Sequence, residues 1–219
     1  MSESIVITSA TRTAVGSLGQ SLKNISGDEL GSVVISEAIT RSKLKKDDVD
    51  EVIMGQVLTG GTGQNPARQA AMRCGIPKEK PAYVVNQVCG SGIRSVASAY
   101  QSIQSGDSKI VVAGGQENMS LAPHAIHLRN GKKLGDVQAV DTMIKDGLWD
   151  AFHNYHMGVT AENVATKFQI TRAEQDKFAL NSQEKAFKAI KDNKFKDEIV
   201  SLKIKSKKSE INFDKDEHP

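Results

Sequence analysis

Short apolar runs alternate with amphipathic stretches along the first 118 residues. Runs rich in β-branched residues predict strands, and stretches with an apolar residue every three or four positions predict helices. The predicted strands are residues 4–9, 52–58, 83–88 and 109–113, and the predicted helices are residues 29–44, 66–74 and 90–106. Strands that alternate with helices in this way indicate a mostly parallel, layered α/β sheet.

The pattern changes near Met119, and residues 119–147 carry few periodic signals. Long stretches without regular structure tend to be functional. The elements predicted beyond them are helices at residues 160–168 and 171–192 and an edge strand at residues 198–205. The polar end, residues 210–219, carries no predicted element. We therefore predict two domains, residues 1–118 and residues 119–219.

Composition narrows the function classes. The chain has 219 residues, of which 25% are charged, with a formal net charge of +3. Such a small charge does not favour nucleic acid as a partner, and no apolar run is long enough to span a bilayer. The first residues do not resemble a secretion signal. We expect a cytoplasmic protein with free thiols and with neither nucleic acid nor membrane as a partner.

Cys89 carries the clearest chemical signal. It lies where a predicted strand ends and a predicted helix begins, with Gly90 and Gly92 beside it. The first N–H groups of a helix and the helix dipole favour a thiolate over a thiol. A free N–H at this turn also suits the oxyanion of an acyl intermediate. This arrangement favours acyl transfer from a thioester, although the residues alone equally allow a small buried cysteine.

Residues 85–96, VNQVCGSGIRSV, with Ile103 further along, resemble the acyl-enzyme active-site pattern of thiolases. Other segments resemble successive thiolase segments in the same order, so the resemblance covers essentially the whole chain. These segments are VITSATRTAVGSLGQSL, GQNPARQAA, VVAGGQENMS, DTMIKDGLWDAF and YHMGVTAENVA.

The resemblance implies a layered α/β fold in which two similar halves build five layers, αβαβα. Residues 1–118 match the first half without its last strand, and residues 119–219 match an inserted α+β loop domain that serves coenzyme A binding and tetramerisation. The short-chain biosynthetic branch is the most similar. It condenses two acetyl-CoA into acetoacetyl-CoA, or runs the reverse, through an acyl-cysteine intermediate. The nucleophile would be Cys89, and no metal or other cofactor is implied.

Three residues of the insertion match family positions that line the acyl and pantetheine site: Leu148, His156 and Met157. Leu148 and Met157 offer apolar surface for a thin pantetheine arm, and Met157 can restrict the acyl pocket to short chains. His156 can donate a hydrogen bond near the thioester carbonyl. For each of them, plain packing is the alternative reading.

Two further sets of residues have other roles in this reading. Cys74 lies inside a predicted helix and is expected in the core. His124 and His127 fall in SLAPHAIHLRNGKKLGD, which resembles the segment that joins thiolase dimers into tetramers. We therefore expect these histidines at an interface, in a homotetramer or a homodimer.

The family's later motifs do not occur in these 219 residues. They are a G-H-P-like segment whose histidine activates the nucleophile, a C-x-G-like segment whose cysteine handles the α-proton, and an N-E-A-like segment. We expect the chain to be the amino-terminal part of a thiolase. Two hypotheses remain open: a thiolase completed by a longer parent chain or a C-terminal fragment, and a non-catalytic remnant or interaction module. A third, another thiolase-fold enzyme such as a ketoacyl synthase, is disfavoured by the residues around Cys89 and by the H-M-G-x-T-A-E-N segment.

Overall fold

The computed structural model describes residues 4–205 and 210–218, which form two compact units. Unit 1 joins the chain up to Ala122 with the stretch from Glu198 to Glu217, and unit 2 begins at Pro123 and runs to Asp197.

Helices and strands alternate through most of unit 1, and two long helices dominate unit 2. The helices are α1 (Gly27–Arg41), α2 (Pro66–Arg73), α3 (Ser91–Ser105), α4 (Met157–Phe168) and α5 (Arg172–Lys191). The strands are β1 (Arg12–Thr13), β2 (Glu51–Gly55), β3 (Ala82–Val85), β4 (Val111–Gly115), β5 (His124–Ala125), β6 (Val140–Asp141), β7 (Ile199–Val200), β8 (Leu202–Lys205) and β9 (Glu210–Phe213).

A three-stranded parallel sheet of order β3-β2-β4 forms the centre of unit 1. The buried side chains of Val52 and Met54 pack against α1 and α2. The helix α3 packs on β2 and β4, and right-handed crossovers place it on the opposite face of the sheet. The predicted α/β class is thus confirmed, with all three strands where sequence periodicity predicts them.

The helix α3 turns its small residues toward the sheet. Ser95 and Ala99 are buried, whereas Ile93 is 73% exposed and Tyr100 is 51% exposed. The apolar stripe that marks this helix in the sequence therefore faces away from the sheet. Serine and alanine allow the helix to approach the strands closely.

The strand predicted at residues 4–9 is wrong. These residues form no ladder, and Val6 and Ile7 are 69% and 80% exposed. Strand pairing in this region is confined to β1, which runs parallel to β7. An apolar extended run becomes a strand only where a neighbouring strand satisfies its backbone, and none of the described strands runs beside these residues.

The last described residues pack into unit 1. Strands β8 and β9 form an antiparallel hairpin, and Phe213 is buried in a cluster with Ala14 and Leu22. The guanidinium of Arg12 binds both carboxylate oxygens of Asp216, which lowers the pKa of Asp216. The expectation that this end carries no element is therefore wrong.

The same contacts bear on the predicted division at residue 118. Residues 119–122, 198–205 and 210–217, which the sequence assigns to the loop domain, lie in unit 1. The hairpin belongs there because its apolar side packs beside Leu30 of α1. Whether the family's functional loop domain begins at residue 119 stays a prediction.

Unit 2 has little regular structure before its helices. A two-residue pairing of β5 with β6 and a π-helix at Met143–Leu148 are its elements up to that point. Helix α5 begins with a capping box, in which the Glu174 carboxylate accepts from the Thr171 N–H at 2.7 Å. Among the described residues, no helix is long and apolar enough to cross a membrane.

Candidate active site

Cys89 lies in the connection between β3 and α3, directly before Gly90, the N-cap of α3. The carboxyl ends of parallel strands form the edge where α/β sheets present ligand-binding residues. Cys89 is exposed, so the alternative of a small buried cysteine does not describe it. That it acts as a nucleophile stays a prediction.

The turn before the helix, residues 86–91, is called the elbow below. Val88 adopts a positive φ of 50°, which is rare for a β-branched residue and costs about 1–3 kcal/mol. The Asn86 side-chain oxygen accepts from the Val88 N–H at 2.9 Å, and the Val88 carbonyl accepts from the Ser91 N–H at 3.0 Å. Strain held in place beside a candidate nucleophile indicates that the surroundings fix its position.

The backbone N–H groups around Cys89 differ in whether they already donate a hydrogen bond within the protein. The Gly90 N–H donates to the Gln87 carbonyl at 3.1 Å and is therefore occupied. The N–H groups of Gly92 and Ile93 lie in the first turn of α3, where helix geometry provides no partner. These groups, with the N–H of Cys89 itself, are the candidates for stabilising negative charge on an acyl oxygen.

Gly55, the last residue of β2, lets the start of α3 reach the sheet. A Cβ atom at this position would lie 2.5 Å from the Ser91 carbonyl carbon and 2.6 Å from the Gly92 nitrogen. Both are backbone atoms that cannot rotate away. Any other residue at position 55 would displace the turn that carries Cys89. Sequence periodicity does not reveal this requirement, because it depends on two segments that are distant in the chain.

Cys74, the second cysteine, lies at the opposite kind of helix end. It is the C-cap of α2 and is only 7% exposed, as predicted for a core residue. Its thiol donates to the Ala71 carbonyl at 3.2 Å. Burial raises the pKa of this thiol, which disfavours its use as a nucleophile.

The three residues predicted to line the pantetheine site lie together in unit 2. Leu148 ends the π-helix, His156 is the N-cap of α4, and Met157 is the first residue of α4. A β-bridge joins Trp149 to His156. The turn between them therefore holds Leu148 and His156 at its two ends, although their role in binding stays a prediction.

His156 is fixed in one tautomer. Its Nδ1 accepts a hydrogen bond from the Gly158 N–H at 3.0 Å. A backbone N–H can only donate, so Nδ1 carries no proton in this arrangement, and the neutral ring carries its proton on Nε2. His156 can therefore present a hydrogen-bond donor, which suits an oxygen atom of a ligand.

Asp150 organises the turn between Leu148 and His156, and sequence analysis missed it. Its Oδ1 accepts from the N–H groups of Phe152 and His153 at 2.8 and 2.9 Å. These hydrogen bonds lower the pKa of Asp150. An aspartate that binds N–H groups two and three residues further on is a common turn signal, and the sequence DAFH carries it.

The histidines of the predicted tetramerisation segment, His124 and His127, are both exposed. Their interface role stays a prediction. The described residues contain no group of three or more His, Cys, Asp or Glu side chains that could hold a metal ion.

A strained turn that places an exposed cysteine at a helix start, on a parallel α/β sheet, is the arrangement expected of a thiolase nucleophile. Residues 5–219 match the model of the thiolase N-terminal domain. The chain therefore belongs to the thiolase family, and the resemblance drawn from its motifs is confirmed.

Curated relatives sharpen this assignment. The chain is 57% identical over 215 residues to the acetyl-CoA acetyltransferase of Rhizobium meliloti (strain 1021), covering 98% of this chain and 55% of that protein. It is 51% identical to the cytosolic acetyl-CoA acetyltransferase of Rattus norvegicus, again covering 55% of that protein. The chain thus spans about half the length of the curated relatives it matches.

A solved structure gives the same picture. The crystal structure of the acetyl-CoA acetyltransferase of Bacillus anthracis superposes with a TM-score of 0.94 at 41% identity, covering 98% of this chain and 54% of that one. The thiolase-like fold is therefore confirmed for the part of the family fold that this chain spans.

Proposed function

We propose that this chain carries the acyl-accepting part of an acetyl-CoA acetyltransferase, with Cys89 as the nucleophile. The observation that carries the proposal is the exposed Cys89 thiol, next to a strained residue and directly before the N-cap of a 15-residue helix. Relatives at 51–57% identity that are named acetyl-CoA acetyltransferase support the choice of substrate.

The proposed first step is transfer of an acetyl group. The Cys89 thiolate attacks the carbonyl carbon of acetyl-CoA, and negative charge collects on the carbonyl oxygen, where N–H groups of the elbow and the first helical turn stabilise it. The bond from carbon to the coenzyme sulfur then breaks. Coenzyme A leaves as a thiolate that takes up a proton, and acetyl-Cys89 remains.

In the proposed second step, another acetyl-CoA loses a proton from its methyl carbon and attacks acetyl-Cys89. A carbon–carbon bond forms, the bond from the acyl carbon to the Cys89 sulfur breaks, and acetoacetyl-CoA leaves. The reverse sequence cleaves acetoacetyl-CoA. The groups that move this proton lie outside the motifs that the chain contains, so we propose that a C-terminal segment like that of its relatives supplies them.

Leu148, His156 and Met157 are proposed to contact the pantetheine arm and the thioester. An apolar surface from Leu148 and Met157 suits the thin arm, and the Nε2 donor of His156 suits a carbonyl oxygen. The substrates are acetyl-CoA and acetoacetyl-CoA, and no further cofactor takes part. The name of the rat relative supports a cytosolic location.

A second candidate function is a non-catalytic module. The exposed apolar side of α3, with Ile93 and Tyr100, favours it, because such a surface is typical of an interface. The same surface is equally suited to bind a complementary C-terminal fragment. Together with such a fragment, the protein is proposed to form a homodimer or a homotetramer.

Turnover separates the two candidates. The chain is mixed with a fragment that carries the half of a curated relative that this chain does not span, and thiolysis of acetoacetyl-CoA is measured beside that of longer 3-ketoacyl-CoAs. We expect activity on acetoacetyl-CoA that is lost in Cys89→Ser. No turnover with any fragment supports the non-catalytic module, and equal turnover of long chains contradicts the short-chain substrate.

A further inference from the structure

The side-chain hydroxyl of Ser91, the first residue of α3, ties together the two residues that precede Cys89. Its Oγ accepts a hydrogen bond from the Gln87 N–H at 2.8 Å and donates one to the Val88 carbonyl at 2.6 Å. Ser91 is buried, whereas Cys89 is exposed. The hydroxyl therefore joins Gln87 and Val88 from the buried side of the elbow.

The conformation of Val88 explains why such a tie matters. A positive φ at a β-branched residue is strained and persists only where neighbouring groups hold it. The Val88 carbonyl accepts from both the N–H and the hydroxyl of Ser91. Ser91 thus supplies two of the hydrogen bonds that oppose relaxation of the elbow.

We propose that Ser91 is a positioning residue whose hydroxyl holds the strained elbow and thereby keeps Cys89 at the start of α3. This inference rests on the proposed role of Cys89 as the nucleophile. Without the hydroxyl, Val88 relaxes toward negative φ, and Cys89 leaves its place at the helix start. The thiol then leaves the helix start, the kind of environment that raises the reactivity of a cysteine.

Ser95 provides a matched control one turn further along the same helix. It is fully buried, and its hydroxyl lies 2.6 Å from the Gly92 carbonyl oxygen and 2.7 Å from that of Gly114. Replacing Ser95 by alanine removes a buried serine hydroxyl with comparable hydrogen bonds, but it does not touch the elbow.

The experiment compares Ser91→Ala and Ser95→Ala with the unaltered 219-residue chain. The rate of iodoacetamide reaction at Cys89 is measured by peptide mass spectrometry near pH 7. We expect Ser91→Ala to react about fivefold more slowly than the unaltered chain. Ser95→Ala should stay within about twofold of the unaltered chain.

An unchanged rate in Ser91→Ala would overturn the proposal. An equal slowing in Ser95→Ala would also overturn it, because the effect would then be a general loss of helix packing.

A second measurement works even if Ser91→Ala does not fold. In the unaltered chain, hydrogen exchange of the Gln87 amide should be protected, since the Ser91 hydroxyl accepts its hydrogen bond. Exchange at the rate of an unprotected amide would contradict the proposal. Neither measurement uses an acyl-CoA, so the positioning role and the proposed acyl transfer can fail separately.

Discussion

The two cysteines of this chain occupy opposite kinds of helix end. Cys74 caps the C-terminus of α2, where it is buried and donates to a carbonyl of its own helix. Cys89 precedes the N-terminus of α3 and is exposed. The same side chain thus meets the negative end of one helix dipole and the positive end of another.

The difference shows that placement decides what a cysteine can do. Burial raises the pKa of Cys74, so its sulfur serves packing. Cys89 follows the strained Val88, and Gly55 lets the start of α3 reach the sheet while the thiol stays exposed. The role proposed for Cys89 therefore depends on the elbow that carries it and not on the thiol alone.

The largest expected effect is a difference in reactivity between the two thiols. In the folded chain, Cys89 should react with iodoacetamide at least about 100-fold faster than Cys74, because Cys74 reacts only after local opening. Peptide mass spectrometry resolves the two sites in one sample. Similar reaction rates of Cys89 and Cys74 in the folded chain would contradict the difference between the two sites. As a control, we expect the two thiols to react at equal rates in urea.

Gly55→Ala should disturb the elbow most strongly among single substitutions. The new Cβ meets the backbone of α3 at 2.5–2.6 Å, which should cost about 1–3 kcal/mol of unfolding free energy and slow the reaction at Cys89. Urea unfolding measures the first effect and alkylation measures the second.

Gly114→Ala, on the neighbouring strand β4, is the control for that substitution. A Cβ there meets only the Met54 side chain at 3.9 Å, so we expect less than about 1 kcal/mol of change. Equal effects at both glycines would mean that close approach of α3 to Gly55 is not what matters.

The free energy of unfolding at alkaline pH tests whether the Cys74 thiol is buried. Because burial raises the pKa of Cys74, its thiol ionises at a lower pH in the unfolded chain than in the folded chain. The stability that it contributes is complete below about pH 8.5 and falls as the pH rises toward the higher pKa of the folded state.

Cys74→Ala should remove that dependence. We expect the difference in unfolding free energy between the unaltered chain and the variant to shift by up to about 1.4 kcal/mol per pH unit above pH 8.5. Urea unfolding at several pH values measures it. A difference that is constant with pH would contradict the burial of this thiol.

The start of α4 should give the smallest effect. His156→Asn retains an acceptor for the Gly158 N–H but loses the Nε2 donor, whereas His156→Gln retains a donor near the Nε2 position. We expect His156→Asn to weaken acetyl-CoA binding about fivefold and His156→Gln to weaken it less. Calorimetry measures both, and the opposite order would assign His156 to helix capping alone.

Local signals made much of this fold predictable. Asn65 and Pro66 mark the start of α2, and the Asn65 side chain accepts from the Arg68 N–H as a capping residue should. The buried run in β2 is uniformly apolar around Val52 and Met54. The place of Cys89 between a predicted strand and a predicted helix is enough to predict it as the candidate nucleophile.

Features that depend on distant parts of the chain were not predictable. The face of α3 that packs on the sheet carries the small residues Ser95 and Ala99. The apolar stripe around Ile93 therefore does not mark the buried face of this helix. Phe213 is buried because the hairpin packs on α1. The polar residues around Phe213 in the sequence give no sign of this burial. Gly55 and Ser91 matter through contacts with each other, and neither belongs to a periodic pattern.

The most direct test of the account is to incubate the chain with labelled acetyl-CoA and to map the label by peptide mass spectrometry. We predict an acetyl thioester on Cys89 that is absent from Cys89→Ser, with Cys74 unlabelled. Absence of label on Cys89, both alone and with a complementary C-terminal fragment, would contradict the role of this thiol as the acyl acceptor.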